Sequence, residues 1–182
     1  MAEDYKLPFA DDLGFCNILL SGLGGDGANM ASKMLFKLGL MNMGLDGGYD
    51  ARYGSEKKGT PTDVSVRFCP LGTLNRSVGP TTTPHILAAF HEKLIRQLRL
   101  NKGLHADAIV IVNSKKSPEE VRDILQLHSG KVICLDATHI AEETHSRLNM
   151  PMLAVICNVL GFPAEMVDDE PEVPGAEVIP KR

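Results

Sequence analysis

A chain of 182 residues with 43% hydrophobic residues and a formal net charge of −4 has the size and composition of one domain with a full core. That charge argues against non-specific nucleic-acid binding, which wants a basic surface, and the absence of Trp with only 5% aromatics removes stacking platforms for bases. No apolar run approaches the roughly 18 residues needed to cross a bilayer, and residues 1–6 lack a basic region followed by an apolar one, so the expectation is a cytoplasmic protein without membrane contact.

The first element is a strand over the apolar run Cys16-Asn17-Ile18-Leu19-Leu20, followed by a G-x-G-x-x-G turn formed by Gly22, Gly24 and Gly27. After the turn, Ala28, Ala31, Leu35 and Leu38 recur at helical spacing, with Gly39 as the expected stop. A strand that runs through glycines into a helix aims amide N–H groups and the positive helix end at one point, which favours a phosphate or carboxylate. Four glycines within six residues, Gly22, Gly24, Gly25 and Gly27, exceed the needs of a tight turn, so something is expected to approach the backbone closely. A dinucleotide reading would add an acidic residue for a ribose hydroxyl, and Asp46 or Asp50 stands near the expected place. The bland reading is a turn that only packs a helix tightly on a strand.

Leu40 to Tyr49, rich in Gly and Met, has room for a short second strand, and Asp50 to Pro61 reads as a loop. Inside it, Tyr53-Gly54-Ser55-Glu56-Lys57-Lys58-Gly59 places an acid and two cations between glycines. Lys57 and Lys58 can pair with phosphates or with a partner's carboxylates, Glu56 can orient one of them, and Gly54 and Gly59 allow unusual backbone conformations. An ordinary solvated loop is the alternative. Val64 to Phe68 alternates in the β period and ends at Pro70.

Thr83 as N-cap, Pro84 at the first helical position and the stripe Ile86, Leu87, Phe90, Leu94, Ile95 and Leu98 predict an amphipathic helix ending near Gly103. Ala108 to Val112 is a β-branched run of the kind buried on both faces of a parallel sheet. Ser117-Pro118-Glu119-Glu120 reads as a capping box opening a helix to about Leu127, and Lys131 to Leu135 is another buried strand. Asp136-Ala137-Thr138 at its carboxyl end is read as a helix cap rather than a ligand position. Pro151 to Leu160 predicts a buried helix, a candidate subunit contact, and residues 163–182 turn acidic and proline-rich, an extended tail.

Cys16, Cys69, Cys134 and Cys157 are too scattered to form a zinc or iron–sulfur motif and read as core thiols, and the histidines show no ligand spacing. The expected organisation is one α/β domain over residues 1–162 and a tail over 163–182. Its expected fold is three-layer and Rossmann-like, a mostly parallel sheet with helices on both faces.

The glycine turn Gly22 to Ala28, the loop Tyr53 to Gly59 and the strand Val64 to Phe68 together resemble the gamma subunit, or catalytic domain, of the 2-oxoacid:ferredoxin (acceptor) oxidoreductases. Ala106 to Val112, Lys131 to Asp136 and Asn149-Met150-Pro151-Met152-Leu153 extend the likeness to roughly residues 15–162. The chain departs from the family pattern at Asp26, where Gln is common, and at Lys57-Lys58-Gly59-Thr60, where an Arg-Arg or Met-Arg pair with a further glycine is usual. An Asp in an anion-accepting turn must face away, cap the helix or meet a cation.

The resemblance implies an oxidative decarboxylation of a 2-oxoacid on thiamine diphosphate. Electrons leave through iron–sulfur clusters to ferredoxin or another acceptor, and coenzyme A usually captures the acyl group. This chain has no cluster cysteines and no thiamine diphosphate signature, so the resemblance puts those cofactors in alpha, beta and ferredoxin-like partner subunits and assigns this chain no catalytic or metal-ligating residue. It implies a role in walling the active site and holding coenzyme A through Gly22, Gly24, Gly25, Asp26, Gly27, Tyr53, Gly54, Glu56, Lys57 and Lys58. The rival readings are a stand-alone NAD(P)- or flavin-binding oxidoreductase and a non-catalytic scaffold.

Overall fold

The computed structural model describes residues 5–54, 59–73, 79–163 and 165. Six strands form one mixed sheet in the order β2-β3-β1-β4-β5-β6. β1 (Cys16–Leu23) pairs in parallel with β4 (Ile86–Ala89), which continues in parallel to β5 (Ile109–Asn113) and β6 (Lys131–Leu135). On the other side of β1, β2 (Leu45–Tyr53) and β3 (Pro61–Pro70) form an antiparallel hairpin, with β3 antiparallel to β1. The three-layer α/β expectation holds, with the sheet parallel from β1 through β4, β5 and β6 and antiparallel at β2 and β3.

The side-chain alternation of the central strands sorts the core into two faces. Ile18, Leu20, Ile86, Ala88 and Ile111 point to one cluster, under α1 (Ala28–Met41) and α5 (Asn149–Leu160). Leu19, Leu87, Ala89, Val110 and Val112 point to the other, with Ile95 of α2 (Glu92–Gln97) and Val121 and Leu125 of α3 (Pro118–Leu125). The expected stripe of α1, Ala28, Ala31, Leu35 and Leu38, is buried on the first face. Fully enclosing a side chain such as Leu35 is worth about 1.5–3 kcal/mol, so this stripe fixes α1 on the sheet.

Four boundaries differ from the sequence reading, each for a physical reason. The helix expected from Pro84 to Gly103 is instead strand β4 followed by the short α2. Ile86, Leu87, Ala88, Ala89 and Phe90 are all fully buried between β1 and β5, so burial on both faces overrides a stripe that fitted either period. β2 is long and runs through Asp50-Ala51-Arg52-Tyr53, residues expected in a loop, because β3 offers them a continuous antiparallel partner. Gly39 does not stop α1 but lies inside it, where an added Cβ would come within 2.2 Å of the Phe68 ring. α3 ends at Leu125, with Gln126 in the left-handed region.

Other expectations hold in detail. Ser117 and Glu120 form a reciprocal capping box on α3, and the Asp136 carboxylate caps α4 (Ala137–Glu143) by accepting the His139 N–H at 3.1 Å. Cys16, Cys69 and Cys157 are buried as core thiols while Cys134 is only part-buried, and burial pushes the Cys16 and Cys157 thiols up to about 12. Among the described residues no helix is long and apolar enough to cross a membrane. The expected tail lies outside the described residues except for Pro163 and Glu165.

Candidate functional site

β1 leads into the glycine turn and β4 into α2, while α1 covers one face of the sheet and α2 the other. The carboxyl ends of β1 and β4 therefore open a crevice where the connections diverge, the usual ligand position of an open α/β sheet. Phe90 N–H donates to the Ser21 carbonyl at 2.9 Å and ties the two strand ends together.

The turn closes on itself. The Asp26 N–H donates to the Leu23 carbonyl at 3.0 Å, and the Leu23 N–H donates to Asp26 Oδ2 at 2.8 Å. Gly25 (φ +106°) and Gly27 (φ +85°) hold left-handed conformations that side chains resist. Gly27 is the N-cap of the 14-residue α1 and supplies no side chain to cap it. The first-turn amides of Ala28, Asn29 and Met30 therefore have no helical acceptor, and no acidic residue stands in that turn to neutralise the helix end.

The neck of the β2–β3 hairpin and the glycine turn meet directly. The Gly24 N–H donates to the Thr60 carbonyl at 2.8 Å and the Gly59 N–H to the Gly24 carbonyl at 3.3 Å. Gly54 donates to the Pro61 carbonyl at 3.2 Å and lacks a Cβ where one would press to 2.6 Å on Thr60. Tyr53, 62% exposed, joins Gly24, Gly25, Gly27, Asn29 and Lys33 around a cleft of about 300 Å³. Gly22, Gly24, Gly25, Asp26, Gly27, Tyr53 and Gly54 are thus brought together. Glu56, Lys57 and Lys58 lie outside the described residues.

Close packing accounts for two of the glycines. An added Cβ would come within 2.9 Å of Ala28 at Gly22, and within 2.9 Å of Asn149 at Gly27. Gly25 faces open space, with nothing within 4 Å of an added Cβ. Gly24 and Asp26 both donate their N–H within the protein, so the amides left for a ligand are those of the first turn of α1.

Asp26 meets a cationisable partner. Its Oδ2, already taking the Leu23 N–H, lies 2.7 Å from His91 Nε2. His91 also lines a second opening of about 470 Å³ with Leu23, Gly59, Glu92, Lys93 and Asn113. Glu92 accepts from Lys116 Nζ, and from Ser114 Oγ at 2.9 Å. The Lys116 hydrogen bond holds the Glu92 carboxyl below its usual range against the opposing effect of burial. Asn113 braces the same rim, donating to the Phe90 carbonyl at 3.2 Å and to Thr138 Oγ1 at 3.1 Å while accepting the Ala137 N–H at 2.9 Å.

The ribose role expected of Asp46 fails on topology. Asp46 pairs with Cys69 and Tyr53 with Thr62, so Asp46 sits seven positions down β2 from the turn, about 23 Å at strand rise. Asp50, three positions down, turns its carboxylate to Arg52 at 3.6 Å. Sequence reasoning missed His91, Lys33 and Asn149. Lys33 stands one helical turn beyond Asn29, a signal present on the polar face of α1. His91 was hidden by the extended helix assignment, and Asn149 is a long-range neighbour that no local pattern marks.

Comparison with known proteins gives concordant matches. The family model described as pyruvate ferredoxin/flavodoxin oxidoreductase matches residues 17–172. The pyruvate/ketoisovalerate oxidoreductases common subunit gamma of Pyrococcus abyssi is 31% identical over 130 residues, covering 70% of this chain and 67% of that protein. The crystal structure of pyruvate oxidoreductase subunit PORC from Thermotoga maritima superposes with a TM-score of 0.72 at 28% identity, covering 85% of this chain and 82% of that one. A 2-oxoglutarate:ferredoxin oxidoreductase from Magnetococcus marinus, solved with 2-oxoglutarate, coenzyme A and succinyl-CoA bound, shares the fold at 16% identity and a TM-score of 0.66, over 85% of this chain and 26% of its own.

Proposed function

We propose, because this chain belongs to the pyruvate ferredoxin/flavodoxin oxidoreductase family, that it serves as the gamma subunit of a multi-subunit 2-oxoacid:ferredoxin oxidoreductase and holds the anionic part of coenzyme A. The partner subunits of this proposal carry thiamine diphosphate and iron–sulfur clusters. Thiamine diphosphate, when bound there, supplies the carbanion chemistry of decarboxylation. This chain contributes a wall of the active site and a phosphate cradle.

The observation that carries the reading is the uncapped first turn of α1 beside the open Gly25. Amides of Ala28, Asn29 and Met30 point from a positive helix end, and Lys33 lines the same cleft. A phosphate there would gain charge-assisted hydrogen bonds, about twice as strong as neutral ones. The pair Lys57 and Lys58, carried between Gly54 and Gly59, adds cations in the sequence adjoining the cleft. In this reading the glycine loop positions the coenzyme, while proton and electron transfer occur on the partners' groups.

The test is coenzyme A saturation of the assembled complex. Gly25→Val with Lys33→Glu is expected to raise the KM for coenzyme A tenfold or more while leaving the KM for the 2-oxoacid within twofold. An unchanged coenzyme A dependence in a complex that still assembles would sink the reading.

A further inference from the structure

β2 stands at the end of the sheet, and among the described residues β3 is the one strand paired with it. The ladder tells which of its backbone groups face away. Gly54 N–H donates to the Pro61 carbonyl, in the same register that sets Tyr53 opposite Thr62 and Arg52 opposite Asp63. Hydrogen-bonded pairs of an antiparallel ladder recur at every second residue. Gly48, Asp50 and Arg52 therefore bond toward β3, and the N–H and C=O groups of Gly47, Tyr49, Ala51 and Tyr53 turn outward. Gly47 is consistent with this, since its N–H donates to the Asp46 carboxylate at 2.8 Å. A side chain there supplies the acceptor that a neighbouring strand would bring.

We propose that this edge pairs with the β2 edge of a second copy of the chain, antiparallel about a two-fold axis at Tyr49, so that two sheets join into one.

The charges on the strand select both the occupant and the register. With Tyr49 opposite Tyr49, all nine residues of β2 find partners. Asp46 then faces Arg52 of the second copy, twice by symmetry, and Asp50 faces Gly48. Moving the axis to Gly48 sets Asp46 opposite Asp50, and moving it to Asp50 sets that carboxylate opposite its own copy. Like charges directly opposite destabilise a pair of strands, whereas opposite charges stabilise it.

The side chains are placed for this match. Asp46, Asp50 and Arg52 share one face of β2 by alternation, and the exposed Arg52 lies 3.6 Å from the carboxylate of its own Asp50. Tyr49 is on the other face, its ring against Phe36 of α1. Asp46 and Arg52 fall at non-hydrogen-bonded positions of the proposed ladder, where facing side chains come closest. Gly47 and Gly48 leave the strand bare where a second backbone would approach. The opposite edge of the sheet differs: β6 has five residues and opens on the exposed Lys131, a usual way of blunting an edge.

Sedimentation equilibrium of the full-length chain at low salt, from micromolar to millimolar concentration, measures the association. The wild type is expected to dimerise. Ala51→Pro removes an outward N–H and leaves the bonds from β2 to β3 in place, as proline does on edge strands. It should weaken the dimer about tenfold, the loss of one hydrogen bond on each side of the axis, with the thermal midpoint little changed. Arg52→Asp sets two carboxylates opposite each other and should also weaken the dimer about tenfold, and Asp46→Arg added to it should restore the wild-type affinity. Should Ala51→Pro fold poorly, the charge exchange decides alone. A chain that stays monomeric at millimolar concentration overturns the proposal, and Asp46 then only shields the edge. A dimer that Ala51→Pro leaves unchanged, or a double variant as weak as Arg52→Asp alone, overturns it as well, because the copies then meet elsewhere or in another register.

Discussion

Gly27 and Asn149 touch so closely that the glycine has no room for a side chain: an added Cβ would lie 2.9 Å from the Asn149 Cβ, at a φ of +85°. Gly25, two residues earlier, shares the left-handed backbone at +106° but faces open space. The pair separates conformational strain from overlap. Gly25→Ala should cost about 1 kcal/mol, the strain alone. Gly27→Ala should cost about 3 kcal/mol, strain plus displacement of α5. Urea unfolding of the two variants measures the difference, and equal costs would show that the Asn149 contact yields freely.

Gly39 offers the converse case. Inside a helix, Ala is ordinarily better than Gly by about 1 kcal/mol. Here the new methyl would lie 2.2 Å from a ring carbon of the fully buried Phe68, and overpacking a filled core costs about 1–3 kcal/mol. Gly39→Ala is therefore expected to lower the thermal midpoint, and Phe68→Leu added to it should lose less than the two single changes summed.

His85 makes stability depend on pH. Its Nδ1 accepts the Asn17 N–H at 3.0 Å, and its ring is stacked on His105 with centroids 4.1 Å apart. Burial lowers its pKa from 6.5, the nearby His105 lowers it further, and the Asp11 carboxylate acts in opposition. A folded-state pKa below the unfolded one means that the unfolded chain binds the extra proton. The contribution is present in full above the ordinary value and is lost as pH falls from there through the folded value. Unfolding free energy should drop on acidification below about pH 6.5, with a slope of at most about 1.4 kcal/mol per pH unit from this group. Comparing the wild type with His85→Gln across pH 5–8 checks the assignment, since the variant should lose that share of the slope.

Asn113 braces three elements at the rim of the crevice. Replacing it with Ala would strand the Phe90 carbonyl and the Ala137 N–H, at a cost of about 1–3 kcal/mol for buried groups left unpaired. Hydrogen exchange should locate the loosening at the start of α4 and the end of β4. Uniform protection loss across the sheet would contradict this.

Much of the fold was legible from periodicity and punctuation. The strands after β4 are short continuous apolar runs, and the capping box at Ser117 and the cap at Asp136 are local chemistry that the chain writes out in order. β4 was misread because Ile86, Leu87 and Phe90 satisfy a helical stripe as well as a strand enclosed on both faces, and only the neighbours β1 and β5 decide. The glycine turn between β1 and α1 was legible as a turn, but its contacts were not. That Gly24 donates to Thr60, that Gly27 makes room for Asn149 and that Asp26 meets His91 are contacts across 36, 122 and 65 positions, outside the reach of any local pattern.

Two backbone bonds join the hairpin neck to the glycine turn, Gly24 N–H to Thr60 and Gly59 N–H to Gly24. Tolerance to insertion should therefore change abruptly along a few residues. Extra residues between Gly54 and Gly59 lengthen the hairpin without altering which groups Gly24 meets. A single residue inserted between Thr60 and Thr62 slips the frame, sending side chains of β3 to the opposite face or breaking the tie. Relatives that vary the length of this loop can keep the same contacts at the turn only if they vary it before Gly59.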